Sequence, residues 1–211
     1  MPMPDKLTKI FESNESWADK MVDKDPDFFQ RHTKGQKPEY LWIGCSDSRV
    51  PVRQMTETGP GEMFVHLNIA NTFHHHDLNA LSVLHYAVDV LEVRQIIVCG
   101  HYACGGVMAA LEQVDHGLVD HWIRPIKQLY EEHKSRLNTL PKEEMVNQVC
   151  EWHARRQAFN VAQTSIVQRA WQKKQELTVH AIIYNLENGL LNDLDCHITG
   201  PEDIPEIYHI Q

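Results

Sequence analysis

The apolar positions of the chain follow two patterns, helical spacing and short continuous runs. Residues 5–32 carry apolar side chains at roughly helical spacing among charged ones, which predicts a helix there. Tyr40–Cys45 is a near-continuous apolar run of the kind that forms a buried parallel strand. Met63–Ile69 and Gln95–Gly100 have a similar character and are predicted as the second and third strands.

The rest of the chain is predicted to hold helices and one hairpin. The predicted elements are a helix from Asp77 to about Val93, a helix opened by Gly105-Gly106, a largely helical stretch over about 118–173 interrupted near Leu140-Pro141, and strands at Leu177–Tyr184 and Leu190–Leu194. The last two strands flank Glu187-Asn188-Gly189, which is a strong hairpin signal.

The order of these elements predicts an α/β fold. We expect a mostly parallel central sheet with an antiparallel edge, flanked by helices and preceded by an extended N-terminal helix. At 211 residues the chain is long enough to bury its own core, so we predict one domain over residues 1–211, in which residues 1–35 form a helical arm.

Charge and composition narrow the function classes. The formal net charge of −9 is spread along the chain, whereas a nucleic-acid binder normally shows a basic patch. No apolar run approaches the roughly 20 residues that a membrane span needs, and no secretory signal is visible. Five cysteines, an odd number, do not indicate a disulfide framework, so we expect a reducing, cytoplasmic setting.

Two short strings at strand ends carry the candidate chemistry. Cys45 and Asp47 follow the first strand, and His101 and Cys104 follow the third. Ligands of an α/β sheet bind at the carboxyl ends of its strands, so these side chains are expected to converge. Thiolates, an imidazole and a carboxylate suit zinc. Taken alone, His-x-x-Cys is a weak motif, and a cysteine is often only a small buried hydrophobe.

Asp47 and Arg49 allow two interpretations. As a surface ion pair they would contribute at most about 1 kcal/mol. Alternatively, the Asp47 carboxylate either completes a tetrahedral zinc site or turns away to pair with Arg49. Because a catalytic zinc keeps one position open whereas a structural zinc is closed by four protein ligands, Asp47 would then act as a gate.

Two longer motifs carry a resemblance to a known family. Cys45–Val50, with the sequence CSDSRV, and Gly100–Gly106, with the sequence GHYACGG, resemble the β-class carbonic anhydrases of bacterial type. The similarity extends from about Trp42 to Tyr184. It implies Zn²⁺ as the cofactor, held by the residues Cys45, His101 and Cys104, joined by Asp47 in a closed state only.

The same resemblance implies reversible hydration of carbon dioxide to bicarbonate and a proton by zinc-bound hydroxide. Asp47 and Arg49 would form the catalytic dyad, with Asp47 orienting the hydroxide. It also implies a homodimer or homotetramer, and the amphipathic N-terminal helix is suited to a subunit interface. Two alternatives stay open: the same scaffold hydrolysing CS2 or COS, and a non-catalytic closed zinc protein.

The chain departs from the family pattern at one position. Some bacterial members bind bicarbonate in a pocket made by Trp, Arg and Tyr; Trp42 and Tyr184 match two of these, but Leu67 replaces the Arg. A leucine lacks the fork that binds an anion bidentately, so we expect weak or absent inhibition by bicarbonate. His66 is the alternative that could replace the Arg in part, but we expect a structural role, which is the more common one for a strand histidine.

Other polar residues are weaker candidates. Asn68, Ala70 and Asn71 lie in the resembling stretch and are expected to shape the substrate pocket. The run His74–His76 is expected to be a solvated loop, with a proton relay or an adventitious metal site as the alternative. Three further cysteines have no partner at ligand spacing and are expected to be structural: Cys99, Cys150 and Cys196.

Overall fold

The computed structural model describes residues 5–211, with side chains from Lys6 onward. The first four residues of the predicted arm lie outside that range. The chain divides into two compact units, an N-terminal one that ends at Gln36 and a second over Lys37–Gln211. The extent of the single domain stays a prediction.

The N-terminal unit holds two helices, α1 (Asp5–Lys24) and α2 (Phe28–His32), where the sequence predicted one. The break falls at Pro26, which has no backbone N–H to continue the helical hydrogen bonds. The Asp25 carboxylate stabilises the turn, since it accepts hydrogen bonds from the Asp27 amide and from Arg31.

The second unit is built on a five-stranded sheet. Its strands are β1 (Tyr40–Cys45), β2 (Met63–Asn68), β3 (Gln95–His101), β4 (Thr178–Asn185) and β5 (Leu190–Ile198), in the order β2-β1-β3-β4-β5. The first four are parallel and β5 runs antiparallel to β4, which confirms the predicted mostly parallel sheet with an antiparallel edge.

Helices flank this sheet, as predicted. They are α3 (Val52–Met55), α4 (Leu78–His85), α5 (Gly105–Leu111), α6 (Leu118–Trp122), α7 (Arg124–Leu137), α8 (Lys142–Ala162) and α9 (Ser165–Gln172). The longest, α8, packs on β3 and β4 through small and branched side chains such as Val149, Ala154 and Ala158, all fully buried. Within residues 5–211, no helix is both long and apolar enough to cross a membrane.

The edge strand β5 is longer than predicted. It runs to Ile198 rather than ending at Leu194, because the register shifts between Ala181 and Ile182 of β4. The extra residues on β5 form a bulge in which Asp195 adopts a left-handed conformation, with φ of 50°. A bulge interrupts the two-residue alternation on which the sequence prediction depended.

Candidate metal centre

Parallel pairing of β1 with β3 brings the two predicted strings to the same edge of the sheet. Cys45 is the last residue of β1 and His101 the last of β3, and Cys104 follows as the N-cap of α5. One ligand atom from each of the three residues lies within 4.8 Å of the others, and all three side chains are buried. The Sγ atoms of Cys45 and Cys104 are 4.0 Å apart.

The His101 ring is oriented by its own neighbourhood. Its Nδ1 lies 2.9 Å from the Tyr102 carbonyl oxygen, and therefore donates its proton there. Nε2 then carries a lone pair, and it is buried with no hydrogen-bond partner among the described residues. A buried, unsatisfied nitrogen beside two sulfurs costs free energy unless a cation binds it. Two sulfurs and an imidazole, with the Tyr102 carbonyl holding the other ring nitrogen of His101, fit zinc.

The thiols interact strongly. The pKa of Cys45 is lowered to about 4, chiefly by a hydrogen bond from Cys104; burial opposes this shift, and nearby His101 contributes to it. The same hydrogen bond, with burial, raises the pKa of Cys104. Burial would lower the pKa of His101, but the Cys45 sulfur raises it overall. The protein alone thus favours one thiolate, and the second needs the charge of a bound cation.

Asp47 and Arg49 form a fork-to-fork pair beside these ligands. Arg49 Nε donates to Asp47 Oδ1 at 2.9 Å and Nη2 donates to Oδ2 at 2.7 Å. The Arg49 amide also donates to Oδ1 at 2.9 Å. The guanidinium hydrogen bond is the main reason that the pKa of Asp47 is lowered to about 2. Asp47 Oδ2 lies 3.7 Å from His101 Nε2, so the carboxylate faces the cluster.

Several groups at the centre were not identified from the sequence. The Ala103 carbonyl accepts a hydrogen bond from Arg49 Nη2 at 3.2 Å, and the Tyr102 carbonyl orients His101. Backbone carbonyls leave no trace in residue identity, so no sequence signal marks them. His153 of α8 was also missed; its Nε2 lies 2.9 Å from the carbonyl oxygen of Ala70.

The loop after β2 packs against the start of α5, next to the Cys–His–Cys cluster. Ala70 and Asn71 have left-handed backbones, with φ of 58° and 44°. The Asn68 side chain holds the loop closed, since it accepts from the Thr72 amide and donates to the Thr72 carbonyl, both at 2.8 Å. A Cβ placed on Gly106 would lie 2.9 Å from the Ala70 Cβ, so the loop packs directly against the start of α5.

The predicted anion pocket has apolar surroundings. Trp42 and Tyr184 belong to one buried cluster. The Trp42 indole packs over Gly44, and the Leu67 side chain lies close to the same glycine. The indole N–H is buried without a partner among the described residues. His66 is buried in β2 with its Nε2 3.3 Å from the Asn68 amide, and burial lowers its pKa.

The histidine run is more ordered than the predicted solvated loop. His74 Nε2 lies 3.1 Å from the Trp122 carbonyl oxygen and His75 Nε2 lies 2.7 Å from that of Asn160. His74 is half-buried, because its ring packs edge-on against Trp122. The three remaining cysteines are buried, and burial raises the pKa of each thiol: Cys99, Cys150 and Cys196.

Fold and site together define an α/β protein with a Cys–His–Cys cluster, suited to a metal ion, at the carboxyl edge of a parallel sheet. Comparison with known proteins narrows this class. Residues 40–191 match the family model described as carbonic anhydrase. The chain belongs to this family, in its β class, and is an enzyme that hydrates carbon dioxide reversibly.

Relatives match along most of the chain. A carbonic anhydrase of Emericella nidulans is 42% identical over 204 residues, covering 96% of this chain and 90% of the relative. The solved Coccomyxa β-carbonic anhydrase with acetazolamide has a TM-score of 0.91 at 38% identity, covering 95% of this chain and 91% of that one. A Sordaria macrospora structure, described as tetrameric, gives 0.89 at 32% identity, with 93% and 100% covered. The bacterial-type assignment stays a prediction.

Proposed function

We propose that Cys45, His101 and Cys104 hold the zinc ion on which carbon dioxide hydration depends. The observation that carries this proposal is the buried, unpartnered His101 Nε2 beside two thiols 4.0 Å apart. Zinc bound there supplies a Lewis acid that makes water nucleophilic near neutral pH.

Asp47 is the residue that we assign to orienting the nucleophile. Its pKa of about 2 keeps the carboxylate charged at neutral pH, so it accepts a hydrogen bond from the attacking water rather than taking up a proton for long. Arg49 holds that carboxylate through both oxygens, which fixes the direction of its free lone pairs. Asp47 would thus set the orientation of the attacking water, and with it the direction of the lone pair that attacks carbon dioxide.

We also propose a closed state in which Asp47 becomes the fourth metal ligand. The support is the 3.7 Å separation of Asp47 Oδ2 from His101 Nε2 together with the alternative partner that Arg49 offers. Leaving the Arg49 fork would turn the carboxylate toward the three ligand residues. Substrate access would then depend on which partner Asp47 takes.

The decisive experiment is stopped-flow hydration of carbon dioxide by the zinc-loaded protein at about pH 8.5. The metal content of each preparation is measured alongside. We expect one zinc per chain and a rate well above that of buffer, both lost in Cys104→Ser. Cys150→Ser is the control, because Cys150 is equally buried but outside the ligand cluster. Full activity in Cys104→Ser would exclude the ligand assignment.

A homodimer or homotetramer is the assembly that we propose. It is supported by exposed apolar side chains on α1, among them Ile10 and Phe11, and by Leu67 and Ile69 at the end of the edge strand β2. The Sordaria relatives are described as tetrameric. Light scattering during gel filtration measures the mass directly, and a monomer at micromolar concentration would contradict the proposal.

We further propose that the protein works in the cytoplasm. All five cysteines are free, and the proposed ligands Cys45 and Cys104 must stay reduced to bind zinc. Fractionation of cells that express the tagged protein tests this location.

A further inference from the structure

A pair of imidazoles lies on the edge hairpin, away from the centre described above. His180 of β4 and His197 of β5 are direct partners in the antiparallel ladder, and their Nδ1 atoms are 2.8 Å apart. His180 lies four residues before Tyr184, the strand partner of His101, which corresponds to about 13 Å along the sheet. The pair is therefore separate from the Cys–His–Cys centre.

The outer nitrogens of both rings face oxygen atoms. His180 Nε2 lies 2.6 Å from Gln95 Oε1, and His197 Nε2 lies 3.1 Å from Asp193 Oδ2. Each Nε2 donates its proton outward, and both Nδ1 atoms are left with lone pairs that face each other. Two lone pairs that face each other at this distance need a cation between them, either a proton on one ring or a metal ion. Burial, followed by the nearby His197, lowers the pKa of His180.

The bulge of β5 builds this arrangement. Asp193 and His197 are four residues apart, which in a regular strand would separate them by about 13 Å. The left-handed Asp195 folds the strand back, and the Asp193 carboxylate secures the turn by accepting from the Asp195 amide at 2.9 Å. Bulges are common at sheet edges and beside functional sites, where they re-aim a side chain, and strained residues cluster at such sites.

We propose that His180 and His197 chelate one divalent late transition-metal ion through their Nδ1 atoms. At metal–nitrogen distances of about 2.0–2.1 Å, the 2.8 Å separation gives a nitrogen–metal–nitrogen angle of about 85–90°. That angle belongs to square-planar or octahedral ions such as Cu²⁺ and Ni²⁺, whereas tetrahedral zinc needs a wider one.

The surroundings can accommodate such an ion. A cavity of about 470 Å³ adjoins the pair, with Glu39, Tyr40 and Asn192 also in its lining, and leaves room for water ligands. Because the His197 side chain is 45% exposed, an ion that it shares with His180 can enter from solvent. Gln95 and Asp193 orient the rings from behind, as acceptors behind metal-bound histidines do.

Nickel chloride titrated into the zinc-loaded enzyme, followed by calorimetry at about pH 7.5, tests the site. Zinc content is measured before and after, so that displacement at the Cys–His–Cys centre is detected. We expect one Ni²⁺ per chain with zinc retained, and an affinity at least about tenfold lower in both His180→Gln and His197→Gln. Because His197 is exposed, we expect His197→Gln to fold normally. Asp193→Asn should weaken nickel binding less than either histidine variant does.

His85→Gln is the matched control, since His85 faces Asp89 four residues away at 3.5 Å but pairs with no second imidazole among the described residues. His76→Gln tests the other close imidazole pair, whose ring centroids are 5.1 Å apart. Nickel affinity should be unchanged in both. Equal affinity in the wild type and both pair variants would overturn the proposal, as would loss of binding in His76→Gln. A pair that shares a proton but binds no nickel would overturn it too.

Discussion

Arg49 determines, at the scale of a single residue, where the Asp47 carboxylate points. Removing it in Arg49→Ala leaves Asp47 free to rotate and raises the pKa of that carboxyl toward its ordinary value of 3.8. We expect kcat/KM for hydration to fall about 10²-fold with zinc content unchanged, because misplacement of an orienting group costs that much.

Arg49→Lys is the control for charge. A lysine keeps the positive charge but not the bidentate fork, so it should recover only part of the rate. Stopped-flow rates across the alkaline range measure both variants. A wild-type rate in Arg49→Ala would show that the fork has no part in catalysis.

Leu67 is the residue on which our prediction about bicarbonate depends. Its side chain is exposed, lies close to Gly44 and supplies no cation for an anion. We expect initial hydration rates to fall with added bicarbonate as simple product inhibition, with a Hill coefficient near one. Leu67→Arg, which restores the bidentate donor, should increase the inhibition. Steep cooperative inhibition of the wild type would contradict this prediction.

At the scale of elements, the start of α5 and the loop after β2 are fitted together. Two adjacent glycines provide a matched test. A Cβ on Gly106 would lie 2.9 Å from the Ala70 Cβ, whereas a Cβ on Gly105 meets nothing within 4 Å. Gly106→Ala should therefore cost about 1–3 kcal/mol of unfolding free energy and weaken zinc retention, while Gly105→Ala is tolerated. Denaturant unfolding and metal analysis measure both, and equal effects would exclude this packing.

The attachment of α8 to the same loop depends on a neutral histidine. His153 is fully buried between the Ala70 carbonyl and Gln157, and burial lowers its pKa from 6.5 to about 4. Below pH 6.5 the histidine is protonated in the unfolded chain but stays neutral in the folded protein. The free energy of unfolding therefore decreases as the pH falls from 6.5 toward 4.

Between about pH 7.5 and pH 5 the loss from this one group is about 2 kcal/mol. We expect His153→Gln to be less stable at pH 7.5 but to lose less stability on acidification than the wild type. Urea unfolding at the two pH values gives the comparison. The same loss in both proteins would mean that folding does not lower the pKa of His153.

For the whole molecule, the zinc ion that we propose would link the ends of strands β1 and β3. Removing zinc leaves a buried thiolate and an unpartnered imidazole without a counter-ion, so a chelator should lower Tm and abolish hydration together. Added zinc should restore both. Cys104→Ser, which lacks one proposed ligand, should respond little to the chelator. An unchanged Tm after complete zinc removal would contradict this coupling.

Much of the fold could be predicted because buried parallel strands give unbroken apolar runs. Tyr40–Cys45 and Gln95–His101 are such runs, and their ends carry the residues that converge. The β5 bulge at Asp195 could not be predicted, because its left-handed backbone depends on a partner strand. The helix break at Pro26 could have been predicted, since proline cannot continue a helix. It was missed because the apolar residues on both sides of Pro26 keep a helical spacing.

The sequence predicted the parts of the candidate site that are side chains, but not the parts that are backbone carbonyl groups. Cys45, His101 and Cys104 stand at strand ends, where their residue types are informative. The carbonyls of Tyr102 and Ala103 act through the backbone, and any residue type offers one. His153 lies in a long helix far along the chain, where a single histidine indicates nothing until the fold brings it to Ala70.

The separation of Cys45 from Cys104 by 59 positions bears on how the protein is made. When β1 has just left the ribosome, the nascent chain holds Cys45 but neither of the other two proposed ligands, His101 and Cys104. With these ligands, high affinity would arise only when β3 has emerged and paired with β1, a slow step for parallel strands far apart in sequence. Zinc binding during synthesis would therefore follow the pairing of β1 with β3 and report that this part of the sheet has formed.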